Sequence, residues 1–94
     1  GENPAESIDY FRKTIELAPG YAPAYLALGT SLSREGRHRE AIQPLLKAVE
    51  LESDLDRAYF QLGRVYQALG ETEKAKEYLN RAQALRKKNL LRFR

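Results

Sequence analysis

The chain has 94 residues, a mass of 10.8 kDa and a net charge of +3, which allows one small domain and no second hydrophobic core. Hydrophobic residues make up 43% and charged residues 31%, with six glycines and four prolines, so the composition excludes a disordered or fibrous chain. The sequence contains no cysteine, which excludes disulfides, thiolate zinc sites and thiol catalysis.

Apolar residues recur at spacings of three and four along the chain, which predicts amphipathic helices, and no segment has the alternation typical of a strand. In chain order we expect five helices at about residues 4–18, 22–35, 38–52, 56–69 and 72–90. The connections contain Pro19-Gly20 and Ser53-Asp54. Gly36 and Gly70 fall at predicted helix ends, where a left-handed residue is commonly needed and glycine adopts that conformation at little cost.

When the sequence is compared with itself at an offset of 34 residues, ten pairs of similar residues align, and all of them are apolar residues or glycines. The aligned pairs are Ala24/Ala58, Tyr25/Tyr59, Leu28/Leu62, Gly29/Gly63, Leu32/Tyr66, Gly36/Gly70, Ala41/Ala75, Leu45/Leu79, Ala48/Ala82 and Leu51/Leu85. Each repeat is therefore predicted to be one helical hairpin. We expect repeats at 22–55 and 56–89, preceded by the second helix of a truncated repeat at 1–21 and followed by a basic, apolar tail at 90–94.

Small residues at repeated positions indicate where two helices approach closely. Gly29 and Gly63, with Ala41 and Ala75, leave room for larger neighbours to fill the space around them.

Pro44 is the exception to the helical pattern, because inside the third helix it cannot donate a hydrogen bond to the carbonyl of residue 40. We expect a bend there, tolerated because Pro44 lies on the solvent side.

The repeated residues form two short motifs. They are Tyr25-x-x-Leu28-Gly29 and Tyr59-x-x-Leu62-Gly63-x-x-Tyr66, followed by Ala41-x-x-x-Leu45-x-x-Ala48 and Ala75-x-x-x-Leu79-x-x-Ala82. This pattern resembles the tetratricopeptide repeat (TPR) family. The resemblance implies an all-α fold of tandem helix–turn–helix repeats, with about five antiparallel helices in a right-handed superhelical array. It also implies a module for protein–protein interaction.

In the family, the first helix of each hairpin lines a concave groove that holds a peptide or helix. The corresponding residues here are Pro23, Leu26, Ala27, Thr30, Arg34, Arg57, Phe60, Gln61, Arg64 and Gln67. Arg57, Phe60 and Arg64 are the main candidates for ligand contact, supported by Leu26, Arg34 and Gln61. The arginines suit carboxylates and Phe60 offers an apolar contact, so the expected ligand is an acidic or C-terminal peptide. The alternative is that these are ordinary solvated helix residues.

The C-terminal tail is open to three interpretations. Leu90, Leu91 and Phe93 leave an apolar edge that could pair with another copy and make a homo-oligomer. The six basic residues after position 80 could instead complement a helix C-terminus or lead into a linker. Binding of nucleic acid or an anionic membrane is the weakest alternative, because the rest of the chain is net acidic and no aromatics interleave the cations.

The sequence predicts no catalytic residue, no cofactor and no metal site. His38 is the single histidine and lies in a polar turn, where we expect it to cap a helix or face solvent. The apolar runs are too short to span a bilayer, which favours a soluble protein, with the cytoplasm as the default compartment. The absence of methionine suggests a piece excised from a longer protein, which leaves an accessory region of a larger enzyme as a further alternative.

Overall fold

The computed structural model describes residues 3–92, which form five helices joined by short turns. The helices are α1 (Pro4–Leu17), α2 (Ala22–Arg34), α3 (His38–Leu51), α4 (Asp56–Ala68) and α5 (Thr72–Leu91). Each begins where the sequence predicts and ends within one residue of the predicted position. The all-α array of helical hairpins is confirmed.

The helix ends follow from local sequence. Asn3 caps α1, because its side-chain oxygen accepts a hydrogen bond of 2.9 Å from the amide of Ala5. Gly36 and Gly70 have positive φ angles of 81° and 78°, which confirms the predicted left-handed turns. At each turn the residue after the glycine donates its amide, at 2.9 Å, to a carbonyl in the last turn of the preceding helix. The chain therefore reverses direction at the same point in both repeats.

Each helix packs on the next along the chain, and α2 also contacts α4. The core contains Ile8, Leu26, Leu28, Leu32, Ala41, Leu45, Ala48, Ala58, Leu62, Val65, Tyr66 and Ala75. A Cβ atom at Gly29 would lie 2.5 Å from Cγ of Leu45, and one at Gly63 would lie 2.6 Å from Cγ of Leu79. Both distances are below a normal carbon contact, so the predicted close approach of the paired helices is confirmed.

Helix α3 continues without a break through Pro44 to Leu51. Pro44 is half-buried, so it faces solvent in part. The carbonyl of Glu40 loses its usual amide donor at this point, but the helix has seven further residues in which to re-establish the regular pattern.

Helix α5 is longer than its counterpart α3, with 20 residues against 14. It ends at Leu91, one residue beyond the predicted end. Near its end, the side-chain amide of Asn89 donates to the carbonyl of Asp54 at 3.0 Å and to Oδ1 of Asp56 at 3.3 Å. Arg92 adds an ion pair to the carboxylate of Asp54 at 3.2 Å. The end of α5 is thus attached to the turn that precedes α4.

Candidate interaction groove

Three adjoining cavities lie along α2 and α4, and we name each after one of its lining residues. The His38 cavity, of about 460 Å³, is lined by Thr30, Ser33, Arg34, His38, Gln61, Arg64, Gln67 and Ala68. The Pro4 cavity, of about 310 Å³, is lined by Pro4, Ser7, Phe11, Pro23, Leu26, Ala27, Thr30, Ser31, Arg34 and Arg57. The Arg86 cavity, of about 710 Å³, is lined by Asp56, Arg57, Phe60, Gln61, Leu79, Ala82, Gln83 and Arg86.

Shared residues join the three cavities into one surface, which we call the α2–α4 groove. Thr30 and Arg34 line both the His38 and Pro4 cavities. Arg57 lines the Pro4 and Arg86 cavities, and Gln61 lines the His38 and Arg86 cavities. The groove contains all seven residues singled out from the sequence: Leu26, Thr30, Arg34, Arg57, Phe60, Gln61 and Arg64.

These seven residues differ in what they can offer a ligand. Leu26 is only 8% exposed and belongs to the core, so it supports the groove floor more than it presents a surface. The hydroxyl of Thr30 donates to the carbonyl of Leu26 at 2.9 Å, which leaves its oxygen as an acceptor. Phe60 is 43% exposed, and the guanidinium of Arg64 lies 5.8 Å from the centre of its ring. That contact holds Arg64 over the aromatic face.

The groove has a strong excess of positive charge. Arg34, Arg57 and Arg64 are exposed, and within residues 3–92 none of them lies within ion-pair distance of an acidic group. Among the residues that line the three cavities, Asp56 is the single acid. The guanidinium donors therefore remain available to an anionic ligand.

The acids beside the groove are already paired at the turn between α2 and α3. Arg37 donates two hydrogen bonds of 2.8 Å to the carboxylate of Glu40 and a longer one of 3.4 Å to Glu35. These bonds to Arg37 hold the pKa of the Glu40 carboxyl below its usual range. Glu35 and Glu40 thus share Arg37 as their ion-pair partner, and neither lies within ion-pair distance of Arg34, Arg57 or Arg64.

His38 matches the sequence expectation only in part. It is half-buried, and its Nδ1 atom lies 3.2 Å from the hydroxyl of Ser33. The residue before it, Arg37, occupies the cap position of α3 without any side-chain capping bond. His38 therefore does not occupy the cap position, and it is partly exposed where it forms one wall of the groove together with Ser33. The family pattern does not include either residue, because it describes positions that pack helices together.

Two of the three tail residues predicted for self-association lie on the described part of α5. Leu90 is 65% exposed and Leu91 is 51% exposed. Both border a shallow cavity of about 670 Å³ that also includes Ala84 and Lys87. The third, Phe93, lies outside the described residues. Exposed leucines at this end are consistent with the predicted apolar edge.

The described residues contain neither a metal-binding cluster nor a membrane-spanning helix. Within residues 3–92 no group of three or more His, Asp or Glu side chains is arranged to hold a metal ion. No helix between Pro4 and Leu91 combines the length and the apolar character needed to cross a bilayer.

Family models agree with the repeat pattern along most of the chain. Models described as tetratricopeptide repeat match residues 10–43 and 56–89, and one described as TPR repeat matches residues 29–70. The chain belongs to the tetratricopeptide repeat family. Membership of this family indicates a scaffold for protein–protein interaction.

The curated relatives are much longer than this chain. It is 32% identical over 81 residues to anaphase-promoting complex subunit cut9 of Schizosaccharomyces pombe and 34% identical over 84 residues to anaphase-promoting complex subunit 3 of Dictyostelium discoideum. It is 30% identical over 84 residues to DnaJ homolog subfamily C member 7 of Mus musculus. These matches cover 86% to 89% of the chain but span only 9% to 17% of the relatives.

Solved structures of MamA have a closely similar arrangement of helices. A crystal structure of MamA matches with a TM-score of 0.83 and 30% identity, covering 88% of this chain and 48% of that one. A second MamA structure, MSR-1 C2, matches with a TM-score of 0.86 at 22% identity, over 92% of this chain and 49% of that one. The second comparison concerns the fold alone.

Proposed function

We propose that the α2–α4 groove binds an extended, acidic peptide segment of a partner protein. The observation that carries the proposal is the set of three exposed arginines, Arg34, Arg57 and Arg64, which line the groove without an ion pair in the described part of the chain. Arg37, by contrast, is paired with Glu40 three residues later.

The chemistry of the groove suits carboxylates joined by apolar side chains. Each guanidinium presents a planar pair of donors that matches a carboxylate, and such charge-assisted bonds are stronger than neutral ones. Phe60 provides an exposed aromatic surface next to Arg57, and Gln61 can pair with a peptide backbone through its amide. Because all these groups stand on packed helices, the backbone needs little ordering when a ligand binds.

The relatives support a role in assemblies, since two of them are subunits of the anaphase-promoting complex by name. In this interpretation the repeats of the present chain hold one segment of another protein, as part of a larger scaffold.

The test uses decapeptide pools in which one position at a time is fixed as Glu, Ser or Lys. The 94-residue chain is immobilised and the retained pools are quantified. We expect the Glu pools to bind best and the Arg57→Ala, Arg64→Ala variant to bind them at least about tenfold more weakly, since each lost charge-assisted bond costs about 1.5–3 kcal/mol.

A matched control separates recognition from simple charge attraction. The Arg39→Ala, Lys76→Ala variant also loses two positive charges, but both residues are exposed and lie outside the three cavities. It should bind the Glu pools within about twofold of the parent chain, because an exposed charge outside the site contributes little. Equal losses in the two variants, with both still folded by circular dichroism, would contradict the proposal.

Self-association is a second candidate function, favoured by the exposure of Leu90 and Leu91. Sedimentation velocity over a hundredfold concentration range tests it. An assembling chain should sediment faster as concentration rises, and the Leu90→Ser, Leu91→Ser variant should not. A coefficient that stays constant in the parent chain would rule out assembly through this edge.

A further inference from the structure

The geometry points to the His38 cavity as a pocket for a phosphate group carried on a serine or threonine side chain of the bound partner. This inference rests on the proposed peptide-binding function and specifies the ligand at one position of it. The pocket is distinguished by its lining, in which seven of eight residues have polar side chains and none is acidic. The eight are Thr30, Ser33, Arg34, His38, Gln61, Arg64, Gln67 and Ala68.

Two arginines and one histidine reach this cavity from three different helices. Arg34 comes from the last turn of α2, His38 from the first turn of α3, and Arg64 from the middle of α4. Both arginines are permanently charged at neutral pH, and the amides of Gln61 and Gln67 add neutral donors. A tetrahedral group with three terminal oxygens can accept hydrogen bonds from several directions at once, whereas a planar carboxylate is satisfied by one guanidinium fork.

Two of these side chains are held in place by neighbours. The guanidinium of Arg64 lies over the ring of Phe60, 5.8 Å from its centre. His38 contacts the Ser33 hydroxyl through Nδ1 at 3.2 Å, so Nε2 is the ring nitrogen left for a ligand. Donors that are fixed before binding lose less conformational freedom on contact with the anion.

Charge is the second reason for choosing phosphate. A phosphorylated serine or threonine carries about −1.5 to −2 charges at neutral pH, which matches two arginines better than a single carboxylate does. The two other cavities have a different character. Pro4, Phe11 and Pro23 line the first, while the second contains the acid Asp56. The groove thus offers a phosphate pocket beside surfaces suited to apolar and singly charged side chains.

The test is a nuclear magnetic resonance titration of the 94-residue chain at pH 7 with four probes. They are the blocked tripeptide Gly-Ser-Gly, its serine-phosphorylated form, blocked Gly-Glu-Gly, and inorganic phosphate. We expect the phosphorylated tripeptide to shift the side-chain signals of Arg34, His38 and Arg64 most. Its dissociation constant should be at least about tenfold lower than that of the Glu tripeptide, the difference expected for one additional charge-assisted hydrogen bond.

Variants then test whether the named residues hold the phosphate. Arg34→Ala and Arg64→Ala should each weaken binding of the phosphorylated tripeptide at least about tenfold, whereas Arg39→Ala should change it by less than about twofold. The inference is overturned if the Glu tripeptide binds as well as the phosphorylated one, or if the shifts spread evenly over all basic residues. It is also overturned if inorganic phosphate binds as tightly as the phosphorylated tripeptide, because the pocket would then recognise a free ion.

Failure here can be told apart from failure of the proposed function. Retention of the Glu pools by the groove, with no preference for the phosphorylated tripeptide, removes the phosphate pocket and leaves peptide binding intact. Loss of binding to the Glu pools contradicts the proposed function itself.

Discussion

The two complete repeats, 22–55 and 56–89, have the same backbone path but different surface chemistry. Their turn glycines have φ angles within a few degrees of each other. At two positions just after each turn glycine, however, the charges are exchanged, because Arg37 and Glu40 in the first repeat correspond to Glu71 and Lys74 in the second. The first pair makes two bonds of 2.8 Å, and the second approaches only to 3.8 Å. The positions that pack helices are constrained, while the turn surface is free to vary.

A second difference concerns how each hairpin is covered. In the second repeat, Tyr78 lies between Tyr59 and Tyr66, with ring centres 6.3 Å and 5.5 Å away. Two cations flank this cluster, with Arg81 5.0 Å from the ring centre of Tyr59 and Lys74 5.2 Å from that of Tyr66. The corresponding residues of the first repeat, Tyr25, Pro44 and Leu32, form no such cluster. Aromatic side chains therefore cover part of the helix pair in the second repeat, where the first repeat relies on aliphatic ones.

The largest difference in stability between the repeats is expected when the leucine packed against each helical glycine is shortened. These leucines are Leu45, which contacts Gly29, and Leu79, which contacts Gly63. Leu45 is completely buried, whereas Leu79 is half-buried. Leu45→Ala should therefore reduce the free energy of unfolding by about 3–5 kcal/mol, and Leu79→Ala by about 1–2 kcal/mol. Urea denaturation followed by circular dichroism measures both values. Equal losses of unfolding free energy would mean that Leu45 and Leu79 are equally buried, contrary to the structure.

The glycines opposite these leucines should show a smaller contrast of the same kind. Gly29→Ala places a methyl group against Leu45, which has no free space to move into, so we expect a net loss of about 1–2 kcal/mol after the gain in helix propensity. Gly63→Ala should cost less than Gly29→Ala, because the partly exposed Leu79 side chain has more room to shift than that of Leu45. The loss should still be measurable, because the backbone nitrogen of Leu79 lies only 3.2 Å from the added methyl group. Gly20→Ala is the control, because nothing lies within 4 Å of a Cβ atom there.

The tyrosine cluster should distinguish the second repeat at high pH. Burial, followed by the nearby charges of Tyr66, Glu77 and Tyr59, raises the pKa of the Tyr78 phenol. A folded-state pKa above the unfolded value of about 10 stabilises the fold fully below pH 10, and the stabilisation is lost as the pH rises through the folded value. The Tyr78→Phe variant should therefore lose less stability than the parent as the pH rises above 10. Tyrosinate absorbance is measured against pH in the parent and in the variant, and the difference between the two curves reports Tyr78. Its midpoint should lie above pH 10, and a midpoint at or below pH 10 would contradict the raised pKa of Tyr78.

The smallest effect on stability is expected from the Arg37–Glu40 ion pair after the first repeat's turn, when the pH is lowered. Because Arg37 lowers the pKa of Glu40, the pair stabilises the fold above the unfolded pKa of about 4.3, and this is lost as the pH falls through the lower folded value. Glu40→Gln should therefore be less stable than the parent at pH 7 and equal to it at about pH 2. The difference at pH 7 should shrink in high salt, since the pair is exposed. A difference that persists at low pH would show that packing, not charge, is responsible.

The helices could be predicted because apolar residues recur at helical spacing and the pattern repeats every 34 residues. The groove side, with Arg34, Arg57 and Arg64, followed from the resemblance to the TPR family, in which the first helix of each hairpin lines the groove. Contacts between side chains on either side of a turn do not repeat every 34 residues, so the repeat pattern could not predict them. The pairing of Ser33 with His38 depends on how Gly36 reverses the chain, and the burial of Leu26 depends on the helix that precedes it.

The attachment of α5 to the turn before α4 has a consequence for how this end of the molecule opens. Asn89 and Arg92 bond to Asp54 and Asp56, so the last turn of α5 cannot unwind without releasing that turn. The two segments should act as one cooperative unit, with their backbone amides exchanging hydrogen at a common rate. Because Asp56 also lines the groove, release of the end of α5 would leave this carboxylate without its bond from Asn89.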